Sequence, residues 1–70
     1  MNRIQRNKLP LSKWTAVHPV DREKHFLVTR VIEHEDAPHE VVLEAVYSKR
    51  ERVLVWTDLK DDATWRPGWR

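Results

Sequence analysis

His25-Phe26-Leu27-Val28-Thr29-Arg30-Val31-Ile32-Glu33-His34 is the stretch on which the fold turns. Phe26, Val28 and Ile32 alternate with Leu27, Thr29 and Val31, and the β-branched content is high, which is the pattern of a strand. Both faces are apolar, so the strand is expected to curl within a small barrel rather than lie flat over one core. Upstream, Trp14-Thr15-Ala16-Val17 reads as a short strand closed by His18-Pro19 and the polar group Asp21-Arg22-Glu23. Downstream, Glu35-Asp36-Ala37-Pro38 supplies a turn and Glu40 to Tyr47 forms a second long strand. Ser48-Lys49-Arg50-Glu51 is then a hairpin loop around a type I turn, because no Gly or Asn offers a tighter primed turn. Arg52 to Trp56 returns as a further strand. The alternative for about 40–52 is a helix, giving an α+β fold, since Val42, Ala45 and Val46 also fit helical spacing. The density of valine speaks against it, because β-branched side chains lose χ1 freedom in a helix.

Near the C-terminus, Thr57-Asp58-Leu59-Lys60-Asp61 reads as one helical turn capped by Thr57 or Asp58. Arg66-Pro67-Gly68-Trp69 fits a type II turn, with Pro second and Gly third. The expected fold is therefore mainly β: a small antiparallel barrel or curled sheet of SH3-like type, with one short helical turn. Residues 1–8 are expected to be a flexible basic arm, and residues 9–70 one small β domain beginning at Leu9-Pro10-Leu11.

With 70 residues, there is room for one domain, whose core is marginal because a chain this short buries only about 60% of its unfolded surface. No cysteine is present to staple it or to supply a thiolate metal site. Large aromatics are the remaining means, since a fully buried Trp removes roughly 150–250 Å² from water, worth about 4–6 kcal/mol before entropy. Trp14, Trp56, Trp65 and Trp69 are read first as core anchors, with Trp65 the closing clasp. The absence of a membrane-length apolar run or a signal-peptide pattern makes a cytoplasmic monomer with no membrane contact the plain expectation.

Net charge is only +2, but it is unevenly spread. Arg3, Arg6, Lys8 and Lys13 occur in residues 1–13 with no acid, whereas Glu33, Glu35, Asp36, Glu40 and Glu44 occur in residues 33–44 with no base. Basic residues return at Lys49, Arg50 and Arg52, and at Arg66 and Arg70. This permits a basic patch for an anionic partner.

Several motifs together resemble a family of short tryptophan-rich bacterial proteins of unknown function. In the N-terminal half they are Asn7-Lys8-Leu9, Leu11-Ser12-Lys13-Trp14-Thr15-Ala16-Val17, Pro19, Glu23-Lys24-His25-Phe26 and Val28-Thr29. In the C-terminal half they are Leu43-Glu44-Ala45-Val46, Ser48-Lys49-Arg50, Trp56, Leu59-Lys60-Asp61 and Trp65-Arg66-Pro67-Gly68-Trp69. The resemblance runs from Asn7 across nearly the whole chain and implies a complete small protein, but it brings no catalytic or binding residues with it. The stretch His34 to Glu40 departs most and fits a variable loop.

Catalysis is not expected. Ser12 and Ser48 lie in no nucleophile elbow, and a single glycine builds neither an oxyanion loop nor a phosphate cradle. His34-Glu35-Asp36-Ala37-Pro38-His39-Glu40 superficially resembles a zinc-protease helix motif, but the spacing is one residue too long and Pro38 interrupts the helix. No metal or other cofactor is expected. The sharpest positive reading is contact with RNA or single-stranded DNA, which requires cations for phosphates and aromatic faces for bases. Lys13, Trp14, Lys49, Arg50, Arg66, Trp69 and Arg70 are the candidate residues. The competing reading is a protein-interaction module of SH3-like type, using Trp, Tyr47 and the acidic stretch Glu33–Glu44 to dock a proline-rich or basic segment.

Overall fold

The computed structural model describes residues 1–70 and contains five antiparallel strands in one sheet. These are β1 (Lys13–Val20), β2 (Glu23–Ile32), β3 (Glu40–Ala45), β4 (Glu51–Val55) and β5 (Trp65–Pro67), in the spatial order β4-β3-β2-β1-β5. Two 3-10 turns, Arg6–Lys8 and Trp56–Lys60, complete the regular structure. The second is the helical turn expected at 57–61. The alternative helix over 40–52 does not form: that region is β3, a turn and β4, as its valines favour.

The decisive stretch is the central strand of the sheet. Phe26 and Val28 are fully buried on one face, but the register slips between Val28 and Arg30, leaving Thr29 as an extra residue. Beyond this bulge the alternation inverts. Val31 therefore joins the core side opposite Val41, and Ile32 turns to the outer side opposite Glu40, the reverse of the simple alternation. β1 is longer than expected and runs through Pro19. Its register with β2 lapses between Thr15 and Val20, so the missing N–H of Pro19 falls where the ladder is interrupted.

One apolar cluster lies on the inner face: Leu9, Trp14, Ala16, Phe26, Val28, Val41, Leu43, Ala45, Leu59 and Trp65. Phe26 and Trp65 meet edge to face, with ring centroids 5.2 Å apart. The sheet curls but does not close. Laid flat, β4 and β5 would stand about 19 Å apart at the ~4.8 Å strand spacing. Instead the Arg52 guanidinium of β4 comes within 5.9 Å of the Trp65 ring of β5, and within 4.9 Å of Phe26. No strand pairing joins β4 to β5, so both remain edges and the closed barrel of the SH3-like expectation is not formed.

Residues 1–8, read as a flexible arm, lie along the domain. The Asn2 side-chain amide donates to the carbonyls of Leu59 at 2.9 Å and Trp65 at 2.7 Å, and its backbone amide donates to Lys60. Ile4 packs against the core cluster, and the Met1 ammonium pairs with Asp62.

Candidate nucleic-acid interface

The C-terminal tail straddles the sheet edge. Trp65 pairs with Ala16 and Pro67 with Trp14, so these residues belong to the inner face, while Arg66 pairs with Thr15 on the outer face. Gly68 then adopts φ 79°, as the third position of a type II turn demands and as Gly reaches without a Cβ penalty. Its amide donates to the Lys13 carbonyl at 2.8 Å. Beyond it Trp69 folds over the outer face, and its indole N–H donates to the Phe26 carbonyl at 3.0 Å. Thr15 locks the return: its hydroxyl donates to the Gly68 carbonyl at 2.7 Å and accepts from the Arg70 amide at 3.0 Å.

This geometry separates the tryptophans. Trp14 and Trp65 are each 3% exposed, and the Trp14 indole N–H donates to the Ser12 hydroxyl, so neither offers a ring face to a base. Trp14 is thereby removed from the candidate contact residues. Trp56 is partly buried with the Lys60 ammonium 4.7 Å from its ring. Trp69 is 43% exposed. The Lys13 ammonium lies 4.8 Å from its ring centroid, and the His25 ring lies at 5.9 Å with a 33° tilt. The Arg70 main-chain oxygen is 3.3 Å from His25 Nε2, and its guanidinium donates to the Pro67 carbonyl.

Lys13 also borders a cleft of about 410 Å³ walled by Arg3, Lys8, Trp14 and Pro67. None of the cleft's eight lining residues is acidic, and three are cations. The basic N-terminal segment and the tail therefore meet around Lys13. Arg3, Lys8 and His25 were not among the candidate residues. The signal for the first two was present in the acid-free run 1–13, but reading that run as a free arm gave it no location.

Lys49 and Arg50 lie elsewhere, at the β3–β4 turn, where Lys49 has φ 67°. Arg50 is not a free cation. Its Nε donates to Glu23 Oε2 at 2.9 Å and its Nη2 to Asp21 at 3.3 Å, while the Ser48 hydroxyl also donates to Glu23 Oε2. Donation by Arg50 and Ser48 holds the Glu23 carboxyl below the ordinary Glu value, and the same pairing raises Arg50. Arg66 is exposed on the outer face and adds to the lowering of Asp62, whose main cause is the hydrogen bond from the Met1 ammonium. Lys13 and Arg70 have no carboxylate partner within salt-bridge distance.

The histidine loop folds on itself. The His34 amide donates to His39 Nδ1 at 3.3 Å, and His34 Nε2 lies 2.8 Å from Glu40. No group of three or more His, Cys, Asp or Glu is placed to hold a metal ion. No helix is long and apolar enough to cross a membrane.

These features define a class: a small open β-sheet protein whose tryptophan-rich tail grips both faces of one sheet edge. The chain belongs to the tryptophan-rich protein family DUF2389, a family of unknown function whose pattern matches residues 12–70. No curated protein and no solved structure matches it.

Proposed function

We propose that this is a non-catalytic binding protein that contacts single-stranded nucleic acid through the outer face of β1, β2 and the tail. The observation that carries the reading is the half-exposed Trp69 indole held beside Lys13, a residue that also borders, at the sheet edge, an acid-free cleft lined by Arg3 and Lys8. A base stacks on the free part of the indole, and Lys13, Arg70, Arg3 and Lys8 take the places of phosphate counterions. Lys49 and Arg50 are left out, because both lie at the β3–β4 turn away from this face and Arg50 already neutralises Glu23 and Asp21.

Tryptophan emission of the full chain, titrated with a short oligo-dT or oligo-rU, tests this. Quenching is expected at low salt and is lost in Trp69→Ala, with affinity falling by about tenfold or more, since stacking contributes roughly 1–3 kcal/mol per base. Neutralising three or four phosphates predicts a log–log salt slope of about −2 to −3. Lys13→Glu abolishes binding and Arg50→Glu does not. Absence of quenching at low salt, or an affinity indifferent to salt, overturns the proposal.

A further inference from the structure

The two edges of the open sheet are finished differently. The β5 edge is sealed. The Val17 amide bonds to the Thr64 carbonyl and the Gly68 amide to the Lys13 carbonyl, which by the alternation of an antiparallel ladder turns the backbone groups of Trp65 and Pro67 outward. Each of those outward groups is occupied. The Trp65 amide donates to Asp61 at 2.9 Å, the Trp65 carbonyl accepts from Asn2, and the Pro67 carbonyl accepts from Arg70. Proline has no N–H to satisfy.

The β4 edge is bare. The Ala45 amide bonds to the Arg50 carbonyl and the Trp56 amide to the His39 carbonyl, so residues 50, 52, 54 and 56 face β3. Glu51, Val53 and Val55 consequently turn three N–H and three C=O groups outward. The Val55 carbonyl, as the N-cap of the Trp56–Lys60 turn, already accepts the first bond of that turn, and no turn, loop or side-chain hydrogen bond engages the other five. Val53 is 52% exposed, and the strand contains no Pro, Gly or Lys of the kind that blunts edges. Its one inward charge, Arg52, is drawn over the Phe26 and Trp65 rings.

We infer that β4 is a homodimer edge, pairing antiparallel with β4 of a second copy about a two-fold axis at Val53. This departs from the expected monomer. In that register Val53 exchanges both hydrogen bonds with its own copy, and Glu51 does so with Val55 of the second copy. The ten free outward groups of the two strands are then satisfied by the same ladder alternation, the Glu51 amides sharing the Val55 carbonyls with the turns those carbonyls cap. The charges select this register. Centring on Glu51 would oppose two glutamates and centring on Arg52 two arginines, whereas centring on Val53 opposes Glu51 to Val55 and Arg52 to Leu54. The association is isologous and closes at two copies. It joins the molecules at the end of the sheet remote from Trp69, so its failure and that of the nucleic-acid reading are separable.

Sedimentation of the full chain from about 10 µM to 1 mM, a range that brackets weak to moderate association, tests the inference. The expected result is a concentration-dependent doubling from 8.5 kDa. Val53→Pro removes an N–H that the β3–β4 ladder does not use, and Val53→Lys places like charges opposite each other. Both hold the chain at 8.5 kDa with unchanged circular dichroism, and Val53→Lys decides alone if the proline variant fails to fold. In the parent, amide exchange at Glu51, Val53 and Val55 slows with concentration. A parent chain that stays at 8.5 kDa, association that continues past two copies, or a dimer untouched by Val53→Lys each overturns it.

Discussion

Glu23 has 5% of its surface exposed, yet it is well partnered, because Ser48 and Arg50 both donate to the same carboxylate oxygen. A carboxylate whose folded pKa lies below its unfolded one stabilises the fold above the unfolded value near ~4.3, and that contribution is lost as pH falls through the folded value. Glu23→Gln is therefore expected to lower Tm at about pH 7, with the gap from the parent narrowing toward about pH 3. An equal gap at both, by scanning calorimetry, contradicts this. At this scale the sequence was legible where a side chain sits in its own apolar strand, as Trp14 does. It was opaque where the partner lies far along the chain. Arg50 reads as a free basic residue until Glu23, 27 positions away, is brought against it. Trp69 was opaque for a different reason. Its bond to Phe26 and its exposed ring place it between core and surface, and local composition does not distinguish the two.

The strands themselves were readable from β-branched density, and the 3-10 turn at Trp56–Lys60 from Leu59, but not from the cap expected at Thr57 or Asp58: the turn starts a residue earlier, behind Val55, with no side-chain capping bond. The departures are all places where backbone geometry changes without a residue that announces it. The bulge at Thr29 inverts Val31 and Ile32. The β3 strand ends at Ala45 rather than Tyr47, and Val46 bonds back to the His25 carbonyl. The β1–β2 hairpin turns through Asp21 and Arg22 with φ 55° and 65°, a primed two-residue turn built without glycine. Asp tolerates the left-handed region, but Arg22 carries a Cβ into it at a cost of about 1–2 kcal/mol. Arg22→Gly is expected to raise stability by about 0.5–1 kcal/mol, the glycine's greater unfolded freedom offsetting part of the relief. Urea unfolding checks this, and a destabilised variant would place the turn's stability in the contact from Arg22 to the Tyr47 hydroxyl instead.

The whole molecule measures 35 × 25 × 16 Å, an open curled sheet whose β5 end is held by both the N-terminal segment and the tail. Deleting residues 1–5 removes the Asn2 bonds, the Ile4 packing and the Met1–Asp62 pair. A loss of about 2–4 kcal/mol by urea unfolding is expected, whereas a free arm would cost nothing. Family membership and the mainly β architecture were visible in the motifs and valine runs. Failure to close was not, because closure depends on whether two strands far apart in sequence meet, and neither strand records that. The basic cleft was half visible: its cations were in plain view, but only the fold brings Arg3 and Lys8 beside Lys13 and Pro67. The tail has one more consequence. Trp65 and Trp69 grip opposite faces because three residues, Arg66, Pro67 and Gly68, carry the chain around the rim of the sheet. The strap has a set length. Inserting or removing a single residue between the two indoles would turn the second one to the wrong side. What the strap has to keep is a spacing as much as a pair of side chains, and apart from Gly68, held to glycine by its φ of 79°, it should tolerate substitution far better than any change in length.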